Sequence, residues 1–272
     1  MTRFNFVCYY LLLTILLCSC SPKTSISGND QSTIRVLTYN IHHANPPSKA
    51  KEGLIDLAAI AKVIETQKPD LVALQEVDVN TKRSGNMNEA VFLATRLKMN
   101  FYFFKAIDHD GGDYGVAILS KYPLSDPQTY KLPNNGEAKA EPRVLGMGTV
   151  TLPDGRKIRF ASTHLDAQKS EENRMMQVNE INKLTETETL PLIIAGDLNA
   201  NTNSEVVKVF DRQFVRTCTY CGFTIPVINP KNTIDHIAFK KGNNFEVISH
   251  QVINETYASD HLPVLAILKL NK

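Results

Sequence analysis

The sequence shows no internal repeat and no low-complexity tract, which sets aside solenoids and other repeat architectures. It also lacks a strong net charge. Its 30 Lys and Arg stand against 28 Asp and Glu, for a formal +2. That excludes a strongly basic nucleic-acid coat and leaves room only for a local basic patch. The apolar run near the start, Leu11 to Leu17, is too short to span a bilayer as a stable helix. Cysteine is scarce. Of 5 in the chain, only Cys218 and Cys221 remain once the N-terminal leader and Cys20 are set aside. A zinc site would need two further ligands, and there is no second Cys pair or spaced His pair to provide them. A redox Cys-x-x-Cys opens a helix after a strand, whereas this one runs into Gly222-Phe223-Thr224-Ile225-Pro226, which reads as loop. A local disulfide, or two inert thiols, is favoured over either function.

What is present begins with a targeting signal. Arg3 supplies a positive start and Leu11 to Leu17 an h-region. The run ends at Leu17-Cys18-Ser19-Cys20, which resembles a bacterial lipoprotein box with Cys20 as the lipidated first residue of the mature chain. A plain signal peptide cut near Ser19 and an uncleaved anchor are the competing readings. Residues 1–19 are thus expected to be a lipoprotein signal peptide, and residues 20–33 the lipidated Cys20 with a flexible polar tether. No acidic run lies near Cys20, which favours the outer membrane, facing the periplasm. With 43% hydrophobic residues and no linker after Thr33, residues 34–272 are expected to form one domain, read as a monomer.

Within that domain, Ile34 to Ile41 is β-rich and ends at Asn40-Ile41. Leu54 to Gln67 carries apolar residues at helical spacing, and Leu71 to Leu74 is a strand running into Gln75-Glu76. Strand, helix, strand suggests a βαβ-like unit with Asn40 and Glu76 at one edge. Further strands are expected at Phe101 to Phe104, Val116 to Ser120, Arg143 to Leu152, Lys157 to Thr163, Leu192 to Ala195, Ile234 to Phe239, Phe245 to Ser249 and Leu262 to Leu270. Pro153-Asp154-Gly155 marks a hairpin. Helices are expected at Glu89 to Lys98, Ser170 to Glu186 and Ser204 to Phe210. This interleaving predicts two sheets packed face to face with helices outside and polar strand ends on one rim.

Those ends bring together Asn40, Glu76, His164, Asp197 with Asn199, and Asp260 with His261, and Asp235 adds a carboxylate. Glu76, Asp260 and the amide oxygen of Asn40 suit Mg²⁺, Mn²⁺ or Ca²⁺ better than Zn²⁺. Two histidines with an Asp orienter suit proton transfer and stabilisation of a charged oxygen. The combination fits hydrolysis of a phosphoester by activated water, with a metal polarising the phosphoryl oxygen. This donor set admits one ion or two.

The ordered segments Leu37-Thr38-Tyr39-Asn40-Ile41, Leu74-Gln75-Glu76-Val77, Tyr114 to Ser120, Ser162-Thr163-His164-Leu165, Gly196-Asp197-Leu198-Asn199, Ile234-Asp235-His236-Ile237 and Ser259-Asp260-His261-Leu262-Pro263 resemble the endonuclease/exonuclease/phosphatase (DNase I-like) superfamily. The resemblance implies a four-layer α/β sandwich of two packed mixed sheets flanked by helices. It implies Glu76 as principal metal ligand with Asn40 beside it, and Asp260 as a second metal-side carboxylate. Asp197 would position or deprotonate the attacking water, with Asn199 its partner at the phosphate. His261 would hold the phosphate or act as base, oriented by Asp235, and His164 would be the second histidine. Arg143 matches a family arginine with a structural or catalytic role. Arg83 and Tyr114 are weaker candidates for substrate contact. His42, His43, His109, His236 and His250 read as structural or surface residues, with an approach to the site open to His43 alone.

The resemblance implies a phosphate-ester substrate, whether nucleic acid, phospholipid head group, or phosphorylated inositol or sugar. Lys and Arg are spread rather than grooved, and the aromatic run at Phe101 to Phe104 reads as a buried strand rather than a bilayer-reaching loop. The rival classes are a catalytically inactive, lipid-anchored binding module of the same fold and a redox protein using Cys218 and Cys221.

Overall fold

The computed structural model describes Met1, residues 33–137 and residues 139–271. The expected leader, the lipidation site Cys20 and the tether up to residue 32 lie outside the described residues. From Thr33 onward the described chain forms one compact unit. Thr33, expected in the tether, is already the first residue of β1 (Thr33–Asn40).

After β1 come α1 (Leu57–Gln67), β2 (Leu71–Val79), α2 (Glu89–Leu97), β3 (Asn100–His109), β4 (Gly112–Ser120), β5 (Leu124–Leu132), β6 (Arg143–Thr151) and β7 (Lys157–His164). The chain continues through α3 (Glu172–Glu186), β8 (Leu192–Asp197), α4 (Glu205–Phe210), β9 (Phe214–Arg216), β10 (Asp235–Lys240), β11 (Phe245–Val252) and β12 (Val264–Leu270). One six-stranded sheet has the order β11-β12-β1-β2-β4-β3, and the other β5-β6-β7-β8-β10-β9. Both are mixed, with β1 parallel to β2 and β7 parallel to β8. The expected βαβ unit is therefore present.

Period-two alternation builds the layers. Ile34 and Val36, Leu71 and Ala73, Ile158 and Phe160, Ile193 and Ala195, and Ile237 and Phe239 point inward and fill the space between the sheets. The alternate residues Leu37, Tyr39, Val72 and Leu74 face outward and are covered by α1 and α2 through Ile60, Ile64, Ala90 and Leu93. On the other side Leu145, Ala161, Leu192 and Ile194 are covered by α3 and α4 through Val178, Ile181, Val207 and Phe210. The result is a four-layer α/β sandwich. Gly146 on β6 is required by this packing, because a Cβ there would run into the Phe104 ring.

Caps set the helix starts. Asp56 accepts from Ala59 N at 2.9 Å and opens α1 after Leu54, which is left exposed. Asn88 and Ser204 cap α2 and α4 in the same way. The aromatic run Phe101 to Phe104 is an edge strand rather than a buried one, and of these four residues only Phe104 is fully buried. The strands β5 and β9 were not expected. Cys218 and Cys221 form a disulfide. No helix among the described residues is long and apolar enough to cross a membrane.

Candidate active site

The inward-facing parity of each strand, carried to one rim of the sandwich, ends in a polar residue. Val36 and Thr38 lead to Asn40, Phe160 and Ser162 to His164, and Ile193 and Ala195 to Asp197. The register then sets neighbours, with His164 opposite Asp197 and Asp197 opposite Asp235. Asn40 pairs with Gln75 across the other sheet. Glu76 breaks the parity. It is the extra residue of a β-bulge between Leu74 and Val77, with φ +57°. The bulge turns a side chain that would face α1 and α2 toward the rim instead. A left-handed backbone at a glutamate is strained, by an amount on the order of 1–3 kcal/mol, and such strain collects at functional sites.

Asn40 joins the two sheets at this rim. Its Nδ2 donates to Glu76 Oε1 at 3.0 Å and to Asp197 Oδ2 at 3.1 Å. Its Oδ1, expected to face a metal, accepts from the His42 backbone N at 3.1 Å. Asp197 Oδ1 accepts from Asn199 N at 2.8 Å, and Asn199 Nδ2 is tied to the Leu165 carbonyl. Gly196, at φ +156°, lets β8 run against β7, where a Cβ would meet the Thr163 carbonyl.

Asp197 is also 3.5 Å from His164 Nε2 and 3.8 Å from His261 Nε2. Burial, reinforced by the charge of Asp235, pushes the Asp197 carboxyl well above the ordinary aspartate range. Burial acts to lower the His261 pKa, but the Asp235 carboxylate, with Asp197 and Asp260 behind it, outweighs that and holds the imidazole above its ordinary value. His261 Nδ1 meets Asp235 Oδ2 at 2.9 Å, so that nitrogen carries a proton and Nε2 faces Asp197. His164 differs. Its Nδ1 is 3.0 Å from Arg143 Nη1, and because arginine only donates, Nδ1 accepts and Nε2–H points to Asp197. Burial, with Arg143 and then His261, keeps His164 neutral.

Beyond Asn40 lies a second cluster. His42, His43 and Glu76 each place one ligand atom within 4.8 Å of the others, as do Asp197, Asp235 and His261. Among the described residues these are the groups suited to a metal ion. Burial, followed by Arg83 and His42, lowers the His43 pKa to about 4. Asp260 belongs to neither group. It is half-exposed and lies 4.0 Å from His42 Nδ1. Ser259 Oγ donates to the Asn40 carbonyl at 2.7 Å and so ties the loop of Asp260 and His261 to β1. The sequence pattern places this histidine pair among structural or surface residues, leaving only His43 an approach to the site. Its one signal is its place just past the strand-end Asn40, with Ile41 between.

The substrate-contact candidates lie beside the site with their charges already partnered. Arg83 grips Asp78 with two bonds of 2.7 and 2.8 Å and lies over the Tyr114 ring. Arg143 is 3.0 Å from Glu141 as well as bonded to His164. Buried Tyr114, Arg143 and His164 line one small void.

Residues 37–261 match the model of the Endonuclease/Exonuclease/phosphatase family. The chain is 25% identical over 254 residues to the uncharacterized protein YbhP of Escherichia coli K12, covering 88% of this chain and 98% of that one. The Bacteroides thetaiotaomicron mannosyl-6-phosphatase Bt3783 superposes with a TM-score of 0.69 at 18% identity, covering 86% of this chain and 99% of that one. The human Nocturnin catalytic domain, solved with a bound sulfate, gives 0.69 at 23%, covering 88% and 94%. At these identities the structural likeness shows the fold. The family match, spanning most of the described residues, shows that the chain belongs to the endonuclease/exonuclease/phosphatase family, whose members are metal-dependent phosphoester hydrolases.

Proposed function

We propose that this chain hydrolyses a phosphate ester by in-line attack of water, with a divalent cation on the Glu76 side of Asn40 and the proton chemistry on the Asp197 side. The observation that carries the reading is the Asn40 amide, whose nitrogen spans Glu76 and Asp197 and holds the two halves in register. Glu76 would hold the ion, with Asp260, 4.0 Å from His42 Nδ1, a further carboxylate on that side. When bound, a divalent cation supplies charge that polarises the phosphoryl oxygen and steadies the leaving oxygen. The donor set fits such an ion, because Glu76 is half-buried and open to the rim, with metal-ligating nitrogens beside it.

The chain's own groups do the rest. Asp197 accepts a proton from the attacking water as the new P–O bond forms and the bond to the leaving alcohol breaks. Asp235 fixes the His261 ring so that its Nε2–H stabilises the charge gathering on the phosphoryl oxygens. His164 adds a neutral Nε2–H donor. The names of the structural neighbours, a phosphatase and a sulfate-bound catalytic domain, support a phosphate-ester substrate.

The test is a substrate panel of plasmid DNA, RNA, sphingomyelin vesicles, and phosphorylated inositols and sugars, each with Mg²⁺ and Mn²⁺. Activity is expected on at least one and is abolished by chelator. On that substrate Glu76→Gln and His261→Ala are each expected to lower kcat by several orders of magnitude. Wild-type rates in both variants would refute the role assignment. A folded protein that fails to bind divalent cations in calorimetry would instead be the inactive binding module. Leu17-Cys18-Ser19-Cys20 supports a lipid anchor at Cys20, and the lack of an acidic run beside it supports an outer-membrane, periplasm-facing location. Cys20→Ala is expected to move the protein from the membrane to the soluble fraction, and retention without lipid labelling would sink the anchor.

A further inference from the structure

We propose that the cation site at Glu76 takes imidazole nitrogen from His42 and His43, and so selects a nitrogen-accepting transition-metal ion such as Zn²⁺, Co²⁺ or Mn²⁺ over Mg²⁺ and Ca²⁺. The inference rests on the phosphoesterase reading only in taking Glu76 as the metal carboxylate. Oxygen-only sites suit the hard cations, whereas imidazole raises affinity for the first-row transition metals.

Four observations carry it. First, His42, His43 and Glu76 bring their ligand atoms within 4.8 Å of one another. Atoms sharing an ion at about 2.0–2.2 Å lie within roughly 4.4 Å of each other, so closure needs only small side-chain movement. Second, His42 Nδ1 is 3.0 Å from the Asn45 carbonyl. A carbonyl only accepts, so Nδ1 carries the proton and Nε2 keeps its lone pair. That is the backing a metal-bound histidine takes from its surroundings. Asn45 is itself fixed, its Nδ2 donating to the Leu54 carbonyl at 2.7 Å. Third, His43 Nδ1 is buried without a hydrogen-bond partner. A buried polar atom left bare costs about 1–3 kcal/mol, and a bound ion is one of the things that explains it.

The fourth is the backbone. His42, His43 and Ala44 have φ of +47°, +41° and +53° in succession. Consecutive left-handed residues without glycine are rare, because each costs roughly 1–2 kcal/mol. Here they turn the chain straight after Asn40 and bring both rings to the Glu76 bulge, which has positive φ as well. The rings of the first segment and the carboxylate of the second are the groups whose ligand atoms converge within 4.8 Å. The nearby Arg83 charge does not oppose a cation strongly, because Asp78 holds that guanidinium with two bonds.

The experiment uses the mature untagged protein, stripped with chelator and dialysed. Binding of Mg²⁺, Mn²⁺, Co²⁺ and Zn²⁺ is measured by calorimetry. Copper(II)-loaded protein is examined by electron paramagnetic resonance for nitrogen coupling. The variants are His42→Asn and His43→Asn, since asparagine tolerates left-handed backbone, with Glu76→Gln and His261→Ala beside them, all checked by circular dichroism. Zn²⁺ and Co²⁺ are expected to bind at least about tenfold tighter than Mg²⁺. Each histidine variant should weaken Zn²⁺ by about tenfold or more and reduce the nitrogen coupling, with Mg²⁺ changed less than about twofold. Coupling that survives both histidine variants and disappears in His261→Ala would place the nitrogen in the other group and overturn the proposal. So would Mg²⁺ binding as tight as Zn²⁺. If only the histidine variants fail to weaken Zn²⁺ while Glu76→Gln does, this inference falls and the phosphoesterase reading stands. If Glu76→Gln binds every ion as wild type does, both fall.

Discussion

Asp197 has its oxygens divided between two tasks. Oδ1 is held by Asn199 N, while Oδ2 faces Asn40, His164 and His261. A carboxylate so crowded with donors would ordinarily be acidic, yet burial and Asp235 push it the other way. The direction matters for a base, which works only when deprotonated. Activity should therefore rise with pH along a limb above the ordinary aspartate range. Asp197→Asn should lose about 10²–10⁴-fold in kcat together with that limb, and a pH–rate profile of wild type and variant on one cleaved substrate would show it. A variant that keeps the limb would move the base elsewhere. At this scale Asn40, His164 and Asp197 are legible in the sequence because each closes a β-rich run with the inward parity, whereas Glu76 breaks that parity and Asp235 opens its strand. His42 and His43 are not legible, because their position depends on three left-handed residues that no local pattern signals.

The element that best shows where sequence and structure part is β2. Its apolar run is plain, but the bulge that re-aims Glu76 leaves no mark in the composition. The missed strand β5 carries Pro127, a left-handed Asp126, a register break and mostly exposed side chains, so neither alternation nor an apolar run announces it. β9 has only 3 residues. The far end of β2 holds a buried polar cluster that sequence did not suggest. Asp78 accepts from Thr81, Ser84 and Arg83, and its backbone N donates to Glu89 Oε2 at the start of α2. Burial, with the charge of Asp78, raises the Glu89 pKa from 4.5 to about 8. The folded state thus keeps a proton that the unfolded chain loses, and stability falls as pH rises from the ordinary value toward 8. Glu89→Gln keeps an acceptor for Asp78 N and removes the titration. Urea unfolding at pH 5 and pH 8.5 should show the variant gaining on wild type by about 1 kcal/mol or more at the higher pH. An unchanged difference between the two would mean that Glu89 is ionised in the folded protein.

Over the whole molecule, the site exists only because two sheets meet in one register. Asn40 and Glu76 come from one sheet, and His164, Asp197 and Asp235 from the other. The apolar interlayer holds the sheets together without direction, so polar ties must set their alignment at the rim. Gln75 does this directly behind the site. Its Nε2 donates to Ser162 Oγ at 3.1 Å and its Oε1 accepts from Thr38 Oγ1 at 3.3 Å, all three residues being fully buried. Ser162 Oγ in turn donates to the Leu74 carbonyl of the facing sheet. Remote from these ties, Arg156 in the β6–β7 turn donates to the Leu270 carbonyl at the end of β12. Gln75→Ala would leave a cavity and an unpaired Thr38 hydroxyl, costing about 2–4 kcal/mol. It should also lower kcat by more than tenfold, because a misplacement of about 1 Å between catalytic groups has effects of that order. Arg156→Ala cuts the tie at the other end, where one partner is partly exposed, and should cost about 1 kcal/mol or less with kcat unchanged. Unfolding curves and initial rates on the same preparations separate the two effects. If Gln75→Ala unfolds more easily but turns over at the wild-type rate, the rim is aligned by the Asn40 amide alone.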